Sequence, residues 1–216
     1  MYKTLSKGKR IMAVKVYAVR VGNRYGPKYE DYLRSKIPNI QFLNEEKENF
    51  KLQWNKLHFF NLNLDEPICV IDIDIKLINE YQKLFDYPIK RKDFLSIDCW
   101  WDSRKMNGGF YKFYPSEYKF VYEKFKNNKD YWEKYFIKNG AKPGPVNGEE
   151  DFVYKMVKDK IKYLPSSWAT IMKVNPNKKD LKILNKKYSK DYVYLGNKFN
   201  DDIKFIHYLG LNQLVF

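Results

Sequence analysis

A chain of 216 residues, 44% hydrophobic and 18% aromatic, is long enough to bury one sizeable core and falls in the usual range for a single domain. Its 41 Lys and Arg against 26 Asp and Glu leave a net charge of +15, which draws it towards nucleic acid, anionic membranes or phosphate-bearing ligands without choosing among them. Cys69 and Cys99 both lie in apolar runs and read as buried thiols, which excludes a disulfide framework, and no apolar stretch approaches the ~20 residues that span a bilayer.

Residues 1–13 lack an apolar block followed by a small-residue cleavage site. They read as an amino-terminal extension to a domain over 14–216, and the protein is expected to be cytoplasmic, with no membrane insertion. Lys15 to Val21 alternates, is β-branched and breaks at Gly22-Asn23, which predicts a strand. The following PKYEDYLRSKI predicts a helix opened by Pro27. After a short extended IQFL, the spacing of Phe50, Leu52, Trp54, Leu57 and Phe60 predicts an amphipathic helix over Glu45 to Asn61. PICVIDIDIKLI is the most strand-like run, and its near-continuous apolar character suits a buried central strand.

Further strands are predicted at FLSIDCWW and GGFYKFYP, helices at SEYKFVYEKF, DYWEKYFI and EEDFVYKMV, and strands again at WATIMKV and around IKFIHYL. Strands alternating with helices predict a single-domain α/β sandwich whose central sheet is mainly parallel and flanked by helices. NGAKPGPVNG is too rich in Gly and Pro for regular structure and is a candidate lid.

The chemistry begins at Asp72 and Asp74. Carboxylates buried in a central strand are costly unless compensated, and a divalent cation at the strand's carboxyl end, where open α/β sheets bind ligands, is the natural compensation. Strand alternation places both on one face, within reach of one ion. Of the two histidines, His58 in the apolar run KLHFF reads as structural. His207 ends a strand-like run and precedes Gly210, where backbone can approach a ligand closely. Asp72, Asp74 and His207 together predict an oxygen-rich site suited to Mn²⁺ or Mg²⁺ rather than zinc.

Asn107-Gly108-Gly109 is a turn before a strand, or a place where backbone and amide approach a sugar. Lys56 reads as a solvated helix lysine. Glu149-Glu150-Asp151 reads as an acidic first helical turn favoured by the helix dipole. Trp100, Trp101, Phe110 and Tyr114 read mostly as core, with a few available as an apolar wall for a sugar or base. Asp102 and Arg104 are candidates for holding sugar hydroxyls. Tyr, Phe and Trp interleaved with Lys would suit a single-strand nucleic-acid groove, but no compact nucleic-acid-binding signature accompanies them, so that class is the runner-up. A metal-dependent hydrolase using the same carboxylates is a third class.

At Ile71-Asp72-Ile73-Asp74-Ile75 the chain resembles the D-x-D motif of GT-A-fold glycosyltransferases, and its surroundings are similar to the glycogenin and galactinol-synthase type. Trp54-Asn55-Lys56-Leu57-His58 resembles the family's T-K-L-x-x-W helix. Met106-Asn107-Gly108-Gly109-Phe110, ending at Phe113-Tyr114-Pro115-Ser116, resembles N-S-G-V-x-x-F-x-P-S. Gly148-Glu149-Glu150-Asp151 falls where the family has G-G-D-Q, and His207-Tyr208-Leu209-Gly210 looks like the start of H-F-x-G-x-x-K-P-W. The chain also resembles the amino-terminal domain of a glycosyltransferase from a large algal virus, which would act in host cytoplasm.

The resemblance implies a GT-A-like, Rossmann-type fold and transfer of a sugar from a nucleotide-sugar donor, a UDP-sugar, to a glycan or glycoprotein acceptor, with retention slightly favoured and nucleic acid not a partner. It implies that Asp72, Asp74 and His207 hold Mn²⁺ or Mg²⁺ and that Lys56, Asp72, Asn107, Gly108, Gly109 and Gly210 contact the donor. By position it places the base and ribose at the loop from Arg20 to Tyr25, with Arg20 a donor ligand. Glu150 or Asp151 is then the catalytic carboxylate. Gln213 stands where the family has its diphosphate-binding lysine, and the P-W pair is missing.

Overall fold

The computed structural model describes residues 14–99, 105–139, 148–174, 192–196 and 200–208, and of residues 171–174 and 192–196 the backbone only. The central sheet grows from β1 (Lys15–Val19), which pairs in parallel with β2 (Gln41–Leu43) on one side and β3 (Ile68–Ile71) on the other. β6 (Met106–Phe113) runs antiparallel between β3 and β5 (Phe94–Asp98), and β7 (Ile161–Tyr163) lies parallel to β5 at the edge. The order is β2-β1-β3-β6-β5-β7, with three of the five pairings parallel. A second sheet joins β4 (Ile75–Leu77), β10 (Phe205–Tyr208), β8 (Ala169–Val174) and β9 (Tyr192–Gly196) in the order β4-β10-β8-β9.

Strand periodicity sorts the core onto the two faces of the central sheet. Val16, Ala18, Cys69, Ile71, Leu95 and Phe110 face α1 (Pro27–Lys36), α2 (Gln82–Asp86) and the second sheet, meeting Tyr29, Leu33, Leu84 and Phe205. Tyr17, Ile68, Val70, Phe94, Tyr111 and Phe113 face the other way. There they meet a 3₁₀ helix (Leu52–Asn61), α3 (Pro115–Lys126), α4 (Lys129–Asn139) and α5 (Glu149–Val157). Trp54 stacks on Phe125 and Phe60 on Phe113, so this layer is built largely from aromatic rings. Both cysteines are buried and free, and among the described residues no helix is long and apolar enough to cross a membrane.

Two expectations are corrected. The helix predicted over Glu45 to Asn61 is a 3₁₀ helix confined to Leu52–Asn61. Glu48, Asn49 and Leu52 have φ of 52°, 59° and 46°, and left-handed residues interrupt any right-handed helix through this stretch. The buried Asn55 amide braces that turn, accepting from the Lys47 N–H and donating to the Phe50 and Leu52 carbonyls. PICVIDIDIKLI is not one strand either. It forms β3, leaves the central sheet at Asp72, turns, and enters the second sheet as β4. α2, β7 and β9 were not predicted.

Candidate active site

Asp72 extends the β3–β6 pairing by one bond, its N–H donating to the Gly109 carbonyl at 3.1 Å, and the chain then turns. The turn is pinned to the second sheet where the Tyr208 N–H donates to the Asp74 carbonyl at 2.9 Å. Asp72 and Asp74 therefore converge through a turn at the carboxyl end of β3, not through strand alternation as the sequence suggested. β10 pairs antiparallel with β4, His207 opposite Ile75, which carries the imidazole to the same place.

His207 Nε2 lies 3.4 Å from Asp72 Oδ2 and 3.4 Å from Asp74 Oδ1. One ligand atom from each residue lies within 4.8 Å of the others. Two carboxylates and one imidazole gathered at a point make a donor set compatible with a divalent metal. Burial pushes the Asp74 carboxyl up, but its contact with His207 wins and holds it below the usual range. Burial likewise opposes charge on His207, and the carboxylates around it raise its pKa above the usual imidazole value. Both shifts say that the place favours positive charge.

The remaining carboxylate oxygens are taken up by protein. Asp72 Oδ1 meets Lys56 Nζ at 2.6 Å, and Asp74 Oδ2 accepts a 2.6 Å hydrogen bond from the Tyr25 hydroxyl, in the loop after β1. Lys56 is buried rather than solvated; it also donates to the Gly108 carbonyl at 2.8 Å and faces Glu149 Oε2 at 3.4 Å. Burial opposes its charge, but Asp72 and Glu149 hold the ammonium well above the usual lysine range. Glu149 in turn accepts from the Tyr111 hydroxyl at 3.3 Å.

The first turn of α5 thus does more than satisfy the helix dipole. Glu149 is buried, and Glu150 is half-buried with Oε2 accepting the Gly108 N–H at 2.6 Å. Burial pushes both carboxyls up to about 7, opposed at Glu149 by Lys56 and at Glu150 by the Gly108 N–H. Asp151 pairs with Lys105 at 3.3 Å.

The structure thus gathers Asp72, Asp74, His207, Lys56, Asn107, Gly108, Gly109 and Glu150 into one connected array. Arg20 instead pairs with Glu30 at 2.6 Å, and His58 stacks on Phe50. Phe110 lies in the core. Asp102, Arg104, Gly210, Gln213, Trp100, Trp101 and residues 140–147 of the candidate lid at 139–148 lie outside the described residues. Sequence reasoning passed over Tyr111 and Glu149 as partners of Lys56. A signal existed for Glu149, because it sits three and four positions before Phe152 and Val153 on the buried stripe of α5, a place where an unpaired carboxylate is not tolerated.

No protein-family model matches the chain, and no curated protein sequence matches it. Solved structures do. The galactosyltransferase LgtC, in complex with donor and acceptor sugar analogues, is similar at a TM-score of 0.55 and 9% identity, over 91% of this chain and 87% of that one. An active-site mutant of LgtC gives 0.52 at 10% identity, over 91% and 88%. The apo form of the glycosyltransferase GlyE from Streptococcus pneumoniae TIGR4 gives 0.50 at 10% identity, over 72% of this chain and 46% of that one. The chain spans 39% of a second GlyE structure, so it accounts for less than half of GlyE but most of LgtC. At such identities the likeness is one of backbone, and it establishes that the chain has the GT-A glycosyltransferase fold.

Proposed function

We propose that the protein is a metal-dependent glycosyltransferase that moves a sugar from a UDP-sugar to a glycan or glycoprotein acceptor. The convergence of Asp72, Asp74 and His207 at the carboxyl end of β3 carries this reading, within a fold shared with a galactosyltransferase. Asp72 Oδ2, Asp74 Oδ1 and His207 Nε2 would hold Mn²⁺ or Mg²⁺, both of which accept oxygen-rich shells completed by diphosphate and water. When bound, the cation supplies neutralisation of the charge that develops on the departing nucleoside diphosphate.

The chain's own residues do the rest. Lys56 fixes the Asp72 carboxylate by engaging its other oxygen, and Tyr25 does the same for Asp74. Gly108 and Gly109 keep the β6 backbone bare beside the cluster. Glu150, anchored to the Gly108 N–H, or Asp151 is the carboxylate assigned to the sugar or the acceptor hydroxyl. The glycogenin-type motifs favour retention and assign Gly210 to the donor; Arg20 is assigned to it by its place in the loop after β1, and Asp102 and Arg104 are assigned to the sugar hydroxyls. The domain carrying this activity is 14–216, and the proposed location is the cytoplasm. Against the nucleic-acid alternative stands the burial of Phe50, Trp54, Phe60, Phe94 and Phe113, which removes them from any stacking groove.

The test is titration with UDP, with and without Mn²⁺, of the wild-type protein and Asp74→Asn. Binding that requires Mn²⁺ and is lost in the variant supports the reading. Equal UDP affinity in the two proteins, or salt-sensitive oligonucleotide binding without metal, overturns it.

A further inference from the structure

The two sheets meet at a hydrogen bond between residues 100 positions apart: Asn107 Oδ1, on β6, faces His207 Nδ1, on β10, at 3.1 Å. Both side chains are buried. The same Asn107 oxygen accepts the backbone N–H of Gly109 at 2.8 Å. A backbone N–H can only donate, so the Asn107 amide is held with its oxygen, not its NH₂, towards the imidazole. An oxygen already accepting one hydrogen bond can face Nδ1 favourably only if Nδ1 carries a proton.

That proton fixes what the other side of the ring offers. In a neutral imidazole with Nδ1 protonated, Nε2 bears a lone pair, and this is the atom 3.4 Å from both Asp72 Oδ2 and Asp74 Oδ1. Gly109 is part of the device. A Cβ there would lie 2.9 Å from Asn107 Oδ1 and 2.9 Å from His207 Nδ1, so only glycine lets amide and ring meet. We propose that Asn107 is the positioning residue of the centre: its amide oxygen holds the His207 ring in the Nδ1–H form and so presents Nε2 as a ligand between the two aspartates. This rests on the metal-dependent reading above, but assigns Asn107 to the ring of His207 where the sequence motif assigned it to the donor.

The chain has two histidines, so in a His58→Gln background the ring nitrogens of His207 can be followed alone by ¹H–¹⁵N NMR. Metal-free protein, taken to a pH high enough that the ring ¹⁵N shifts no longer change, should show the Nδ1–H form. Asn107→Leu should shift the ring towards Nε2–H and weaken Mn²⁺ binding by about 10–100-fold, the usual loss when such an outer partner is removed. Asn107→Asp keeps an acceptor in the same place and should keep both the tautomer and Mn²⁺ binding. An Nε2–H ring in the wild-type background, or a folded Asn107→Leu that binds Mn²⁺ as tightly as its parent, overturns the proposal. If Asn107→Leu does not fold, the tautomers of the parent and of Asn107→Asp decide it. Failure of the parent to bind Mn²⁺ sinks the metal-dependent reading instead, because the ring tautomer is measured without metal.

Discussion

Replacing Lys56 by Met leaves Asp72 and Glu149 without the cation that lies between them. Their side chains are 24% and 3% exposed, against 5% for Lys56 itself. Removing one partner from a buried ion pair costs about 3–5 kcal/mol. The partial exposure of Asp72 and the ability of Glu149 to take up a proton both point to the lower end, about 3 kcal/mol. For a chain of this size that is a fall in Tm of about 6–12 °C.

The effect should depend on pH, and its direction follows from Glu149. Its folded pKa of about 7 exceeds the ordinary 4.5, so folding takes up a proton; its contribution to stability is full below 4.5 and is lost as pH rises through 7. Without Lys56 the carboxyl rises further and the loss extends to higher pH. Urea unfolding at about pH 5.5 and about pH 8 should therefore give a larger penalty for Lys56→Met at the higher pH. Adding Glu149→Gln should recover part of it, measured as a double-mutant cycle. A loss within about 0.5 kcal/mol at both pH values, the scale of an ordinary surface substitution, would refute the buried array and return Lys56 to a solvated helix face.

His207→Ala should weaken Mn²⁺-dependent UDP binding, whereas His58→Ala, which removes a ring stacked on Phe50 and its 3.2 Å hydrogen bond with the Lys47 carbonyl, should lower Tm and leave that binding intact; the reverse pattern in calorimetric titration would mean the histidines are misassigned. Glu150→Gln should flatten the fall in stability between pH 4.5 and about 7, since the raised carboxyl there favours folding at low pH, by an amount on the order of 1–3 kcal/mol in urea unfolding. The same variant should reduce sugar transfer by at least ~100-fold if Glu150 is the catalytic carboxylate, and wild-type turnover would move that role to Asp151.

Much of the fold was legible because it is written in hydrophobic period and punctuation. The α5 expectation, EEDFVYKMV, matches the observed Glu149–Val157, and Pro27 opens α1 as expected. What failed was whatever depends on where the chain goes next. The run Pro67 to Ile78 stays apolar across a change of sheet, because both halves are buried, and periodicity does not register the turn at Asp72–Asp74 that makes the site. The 3₁₀ helix has helix-like spacing but is preceded by left-handed residues without glycine, which no propensity anticipates. Asp72, Asp74 and His207, which the structure brings together, could be singled out because charged side chains in apolar runs stand out. Glu149 was overlooked because it sits in an acidic triplet, where the helix dipole offers a sufficient local explanation.

The path of the chain from β3 into β4 gives the cluster a mechanical meaning. Asp72 belongs to the end of the central sheet, Asp74 to the entry into the second, and His207 to β10 of the second. A cation shared by all three would act as a clasp across the seam, opposing separation of the two layers in the way a crosslink does. Its binding energy would then appear as stability in proportion to the logarithm of its concentration over its dissociation constant. Amide hydrogen exchange would see it far from the chemistry, as slower opening of β4 and β10 when Mn²⁺ is added, while β7, at the far edge of the central sheet, exchanges as before.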